Sequence, residues 1–139
     1  MTPLLKAKAQ LFEDNLLTCV IIKDKEIYKS TLRGVKPLLE FLDSRADLRD
    51  GSAADKVVGK GAAFLYVLLG VKEVFAGVIS ESALDVLSKN GIKTEYDNLV
   101  PAIKNRKGDG FCPIETAVLN ESDPAAALSK IRETLKNLK

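Results

Sequence analysis

The stretch from residue 73 to residue 96 does most to restrict what this chain can become. "EVFAGVIS" (73–80) is apolar and β-branched on both sides, as a strand covered on both faces must be. "ESALDVLSKNG" (81–91) repeats apolar positions at helical intervals and stops at Gly91, which tolerates the left-handed turn that closes a helix. "IKTEY" (92–96) returns to a short strand. Strand, helix and strand in this order make a right-handed crossover between parallel strands. Upstream, "LLTCVIIK" (16–23) and "EIYKST" (26–31) flank Asp24 and Lys25 as an antiparallel hairpin. Both pairings together require a mixed sheet. The expected fold class is α/β, a three-layer α/β/α sandwich with about four to five strands and helices on both faces.

Four further helices follow from spacing and caps. Leu4, Leu5, Ala7, Leu11 and Phe12 lie on one stripe behind Pro3, and Leu38, Leu39, Leu42 and Ala46 on another behind Pro37, predicting helices over the first 15 residues and over 35–48. "DKVVGKGAAFLYVLLG" (55–70) reads as one buried central helix, capped by Asp55 and ended by Gly70, with "RADLRDGSAAD" (45–55) as the loop before it. "DPAAALSKIRETLKNLK" (123–139) has Asp123 as N-cap and Pro124 at the first helical position. At 139 residues the chain reads as a single domain, 1–139, with no internal repeat.

Composition is informative mainly for what it excludes. A net charge of +2 and scattered aromatic residues give no electrostatic footprint or stacking platform for nucleic acid. Charged residues interrupt the opening segment, and no apolar run approaches the roughly 20 residues that a bilayer demands, so neither a signal peptide nor a membrane span is expected. Cys19 and Cys112 have no disulfide-framework spacing, which points to the reducing cytoplasm. The chain has no histidine. That removes Ser-His-Asp and Cys-His catalysis and the common catalytic zinc ligand sets, and no cofactor is expected. "GKG" (59–61) fails as a Walker loop, because the first glycine falls at Ala54 and Gly61 stands where Ser or Thr is required. It fails as a dinucleotide fingerprint because Phe64 replaces the third glycine.

Two clusters remain as candidate sites. On the helix read from Asp55, Lys56 and Lys60 are four apart on one face, at the end of the dipole where cations are disfavoured, with Gly59 and Gly61 between and beside them. Paired lysines and small residues point to a small anionic or nucleotide-like ligand; the alternative is a pair of solvated lysines at a surface turn. In "GDGFCPIE" (108–115), Pro113 suits the first helical position, Cys112 the cap and Glu115 the third position, a capping box with cysteine as its cap. A thiol there is expected to be activated as a nucleophile or modification site by the helix dipole and nearby cations, with Glu115 opposing that effect; the alternative is a small residue filling a gap. Cys19, inside an apolar run, reads as an inert buried thiol. Ser80 stands at the carboxyl end of the central strand, where open α/β sheets place ligands, and equally suits an ordinary N-cap. Three functions follow: a ligand-binding protein using Lys56, Lys60, Gly59 and Ser80; an enzyme with Cys112 as nucleophile or modified residue, Lys56 or Lys60 lowering its pKa and Asp55 or Glu115 handling a proton; or a non-catalytic protein acting through association, for example as a homodimer.

"DKVVGKGAA", "EVFAGVIS", "NLVPAIKNR" and "GFCPIE", in that order, resemble an uncharacterised DUF-type family of small bacterial and archaeal proteins with a fold similar to cytidine deaminases. The resemblance spans about residues 10 to 135 and implies the same three-layer architecture. True deaminases carry a His/Cys-Ala-Glu motif opening the central helix and a Pro-Cys-x-x-Cys motif opening the helix after the third strand. Those motifs would fall near Lys60, Gly61 and Ala62 and near Ser80 to Ala83, and neither is present. Zinc-dependent deamination is therefore not implied. The resemblance does imply that Lys56 and Lys60 lie near the pocket that holds zinc in true deaminases, with the Cys112 segment closing one side.

Overall fold

The hairpin at Asp24 begins a five-stranded sheet in the computed structural model, which describes residues 1–104, 108, 110 and 112–138. Residues 105–107, 109 and 111, within "NLVPAIKNR" and "GDGFCPIE" or between them, lie outside the described part, as does residue 139. Strand β1 (Cys19–Lys23) turns at Asp24, whose φ of 55° suits an aspartate in a tight turn, into β2 (Glu26–Ser30), with Ile21 opposite Tyr28. β1 also pairs antiparallel with β3 (Ser52–Val58). β3 then runs parallel to β4 (Glu73–Ser80), and β4 to β5 (Lys93–Val100), giving the order β2-β1-β3-β4-β5. The sheet is mixed, as the crossover and the hairpin together require.

Helices cover both faces. α1 (Pro3–Glu13), capped by the Thr2 hydroxyl accepting from the Leu5 N–H, packs Leu4, Ala7 and Leu11 against Val20, Ile22, Ala54 and Phe75. Their strand neighbours Cys19, Ile21, Ala53, Val74 and Ala76 face the opposite way. On that side lie α2 (Lys36–Asp43), α3 (Lys60–Leu69), α4 (Glu81–Lys89), α5 (Pro113–Ala117) and α6 (Pro124–Asn137). The larger core is here, with Phe64, Leu65, Leu87 and Ile131 fully buried, each worth about 1.5–3 kcal/mol relative to exposure. Gly70 closes α3 at φ 76° and Gly91 follows α4 at φ 73°, as their positions suggest. Asp123 accepts from the Ala126 N–H as the cap of α6.

The run from Ser52 to Val58 departs from expectation. It is strand β3, and the helix read as starting at Asp55 starts at Lys60. "SAADKVV" offers alanines and charges, poor local strand formers, and as a central strand covered on both faces it shows no alternation. Pairing with β1 and β4 overrides that weak propensity. α2 is also shorter than the expected 35–48, ending at Asp43 because Arg45 takes a left-handed φ of 58°, while Leu48 still reaches the core. β5 continues past Tyr96 to Val100.

One irregularity positions the site. Asp55 and Val58 both face the α3 side although three apart, as do Ala76 and Ile79 on β4, so alternation slips at Lys56–Val57 and Gly77–Val78. A Cβ on Gly77 would stand 2.7 Å from the Lys56 carbonyl oxygen, which makes glycine the residue that permits this approach.

Candidate functional site

α3 begins where the parallel strand β3 ends, the edge of an α/β sheet where ligands commonly bind. Gly59, its N-cap, has no side chain to satisfy the first helical N–H groups. Glu115 satisfies them from 55 positions away: Oε1 accepts from the Lys60 N–H at 2.8 Å, and Oε2 accepts from the Gly61 N–H at 3.0 Å. Cys112 does cap α5 and Pro113 does open it, but the cysteine makes no side-chain capping bond. The expected capping box does not form, because Glu115 serves α3 and not its own helix. A negative group at a helix N-terminus also suits the dipole. α5 is pressed close enough that a Cβ on Gly61 would stand 2.6 Å from Ile114 Cγ2. The glycines of "GKG" therefore make room for α5, a role that spacing within "GKG" could not reveal.

The two lysines do not share a helix face. Lys56 belongs to β3, and its ammonium donates to the Asn15 carbonyl at 2.8 Å, just beyond α1. Lys60 opens α3 on the opposite side of the sheet, where its ammonium donates to the Leu119 carbonyl at 2.7 Å and lies 5.8 Å from the Phe64 ring centroid. Lys60 also lines a cleft of about 400 Å³ between α3, α4 and the segment 119–122, shared with Phe64, Lys89, Asn90, Asn120 and Ser122. Lys89 is paired there with Asp85 at 2.9 Å. Glu121 is paired with Lys130 at 2.9 Å and also accepts from the Ser122 and Asp123 N–H groups, which holds its carboxyl down at about 2.

The remaining candidates are dispersed. Ser80 is fully buried and caps α4, accepting from the Ala83 N–H at 3.2 Å. Cys112 is partly buried against the larger core. Asp55 turns inward and accepts from the Tyr66 hydroxyl at 2.7 Å. Burial pushes its carboxyl up to about 7, opposed by that hydroxyl and by the Val57 and Lys56 N–H groups. Glu115 and Lys60 are thus joined at the start of α3, while Asp55 and Lys56 face other surroundings.

Residues 7–135 match the family model described as TM1506, a domain of unknown function, DUF1893. Among solved structures, the DUF1893 family protein TM1506 from Thermotoga maritima is 31% identical, with a TM-score of 0.82 over 99% of this chain and 92% of that one. The dCMP deaminase from the cyanophage S-TIM5 in its apo form is 14% identical, with a TM-score of 0.54 over 70% of this chain and all of that one. No curated protein matches. The second likeness gives the fold, a cytidine-deaminase-like arrangement, and the zinc such a fold suggests does not fit this chain. Lys60 and Gly61 present backbone N–H groups to Glu115, Ser80 is spent as a cap, and histidine is absent from the sequence. Among the described residues no three His, Cys, Asp or Glu side chains cluster to hold a metal, and no helix is long and apolar enough to cross a membrane.

Proposed function

The chain belongs to the DUF1893 family, and from that premise we propose that it is a small-molecule-binding protein on a deaminase-like fold without zinc, taking an anionic or nucleotide-like ligand into the cleft beside Lys60. The observation that carries this reading is the state of the Lys60 ammonium. It spends one donor on the Leu119 carbonyl, and among the described residues no carboxylate pairs with it, whereas Lys89, the other lysine lining the cleft, is paired with Asp85. A cation with spare donors in a concave site attracts an anion. Asn90, Asn120 and Ser122 add amide and hydroxyl groups, and about 400 Å³ falls within the range for small-ligand sites. Glu115 already neutralises the α3 amides, so the anion is held by the side chain and not by the helix start. Lys56, bonded on the α1 side, lies outside the proposed site. The proposed setting is cytoplasmic, supported by two unpaired thiols.

Thermal shift with inorganic phosphate and with nucleoside monophosphates tests the reading. At least one of these probes is expected to stabilise the wild type and Lys56→Ala equally and to leave Lys60→Ala unshifted. Equal shifts in Lys60→Ala, or no shift in any protein, overturn it.

A further inference from the structure

Asp55, Tyr66 and Cys19 form a polar chain at the edge of the larger apolar core. The Tyr66 hydroxyl donates to Asp55 Oδ2 at 2.7 Å and lies 3.3 Å from Cys19 Sγ, and the Val57 N–H donates to Asp55 Oδ1 at 3.3 Å. Asp55 and Cys19 are register partners across β3 and β1, so the chain ties both strands to α3. The three residues are 6%, 0% and 1% exposed in the order Asp55, Tyr66, Cys19.

Among the described residues, the surroundings supply Asp55 with no counter-charge. β4 sets Ala76 beside Asp55, and β2 sets Ser30 opposite Cys19, its hydroxyl already accepting from the Leu32 N–H. α2, α5 and α6 contribute apolar residues to this core, among them Leu38, Ile114 and Ile131. The nearest lysines in sequence, Lys56 and Lys60, bond to the Asn15 and Leu119 carbonyls. Among the described residues no Lys or Arg forms an ion pair with Asp55. An asparagine could accept the same bonds without a charge to desolvate, so the carboxyl adds one property that packing does not need: a proton that can leave.

We propose that this chain is a proton-operated latch between β3 and α3, firm while Asp55 is a carboxylic acid and loosened when it becomes a buried carboxylate without a cation. Tyr66 and Cys19, both pushed well up by burial, keep their protons throughout. Asp55 lies four positions before Gly59, so the loosened junction is the one from which α3 and Lys60 project. The latch operates whatever occupies the cleft.

The direction follows from linkage. The folded carboxyl titrates at about 7 and an unfolded one near 3.9, so the stabilisation is fully present below about 4, falls as pH rises through 7, and is level above. Between pH 5 and pH 8 the unfolding equilibrium constant of the wild type is expected to rise about a hundredfold relative to that of Asp55→Asn. Two measurements test this: ¹³C NMR titration of the side-chain carboxyl carbons in the folded wild type, assigned through the backbone, and urea unfolding of both proteins across that pH range. The expected Asp55 midpoint is between about 6 and 8. A midpoint below about 5, or a ratio that changes by less than about threefold, overturns the latch. If Asp55→Asn does not fold, the wild-type titration is compared with Tyr66→Phe. Loss of the donor is expected to move the Asp55 midpoint upward, and an unmoved or lowered midpoint contradicts the proposal.

Discussion

The Glu115 carboxyl carbon lies 2.6 Å from the point where a Cβ on Gly59 would stand, so residue 59 and residue 115 compete for one space at the start of α3. The backbone at Gly59, φ −95° and ψ 179°, is extended and open to any residue. Gly59→Ala is therefore expected to act by swinging Glu115 away from the Lys60 and Gly61 N–H groups, at a cost of about 1 kcal/mol, the usual value of a lost cap. Urea unfolding of Gly59→Ala, Glu115→Ala and the double variant checks this. The two costs are expected not to add, because both remove the same hydrogen bonds.

Gly77 is constrained differently. The atom that a Cβ would meet there is the Lys56 carbonyl oxygen, which belongs to the backbone of the neighbouring central strand and cannot swing aside. Gly77→Ala is expected to cost about 1–3 kcal/mol, more than Gly59→Ala, in the same unfolding measurement.

Glu121 is expected to contribute to stability in acid. Its carboxyl is held at about 2 by Lys130 and by the Asp123 and Ser122 N–H groups. For a group depressed on folding, the stabilisation is present above its unfolded value, near 4.3, and lost as pH falls toward 2. Wild-type thermal stability is thus expected to fall between pH 5 and pH 2.5 by more than that of Glu121→Gln, read as melting temperatures across that range. Lys130→Met is expected to shrink the difference.

Much of the fold was legible because its signals are local. The turn at Asp24, the ends at Gly70 and Gly91, and the cap at Asp123 each depend on a few adjacent residues. β3 was not, because Ala53, Ala54, Asp55 and Lys56 carry little strand propensity, and only their partners on β1 and β4 make them a strand. That one reassignment separates the candidate lysines. With a strand at 52–58, Lys56 turns toward α1 while Lys60 stays with α3. "GDGFCPIE" correctly suggested a helix start, yet nothing in those eight residues could show that its glutamate caps a different helix. The buried partnership of Cys19 with Tyr66 was equally invisible, since an apolar run around a cysteine reads the same with or without a hydroxyl facing it.

The proposed ligand site is tested most directly by location. In ¹H–¹⁵N spectra of the wild type titrated with a nucleoside monophosphate, the expected result is saturable shifts at Lys60, Phe64, Asn90, Asn120 and Ser122, around the cleft, with Lys56 and Asn15 silent. Saturable shifts centred elsewhere, such as the groove of Tyr28, Phe41 and Ser44, or unchanged shifts around Lys60 in the Lys60→Ala protein, would contradict it.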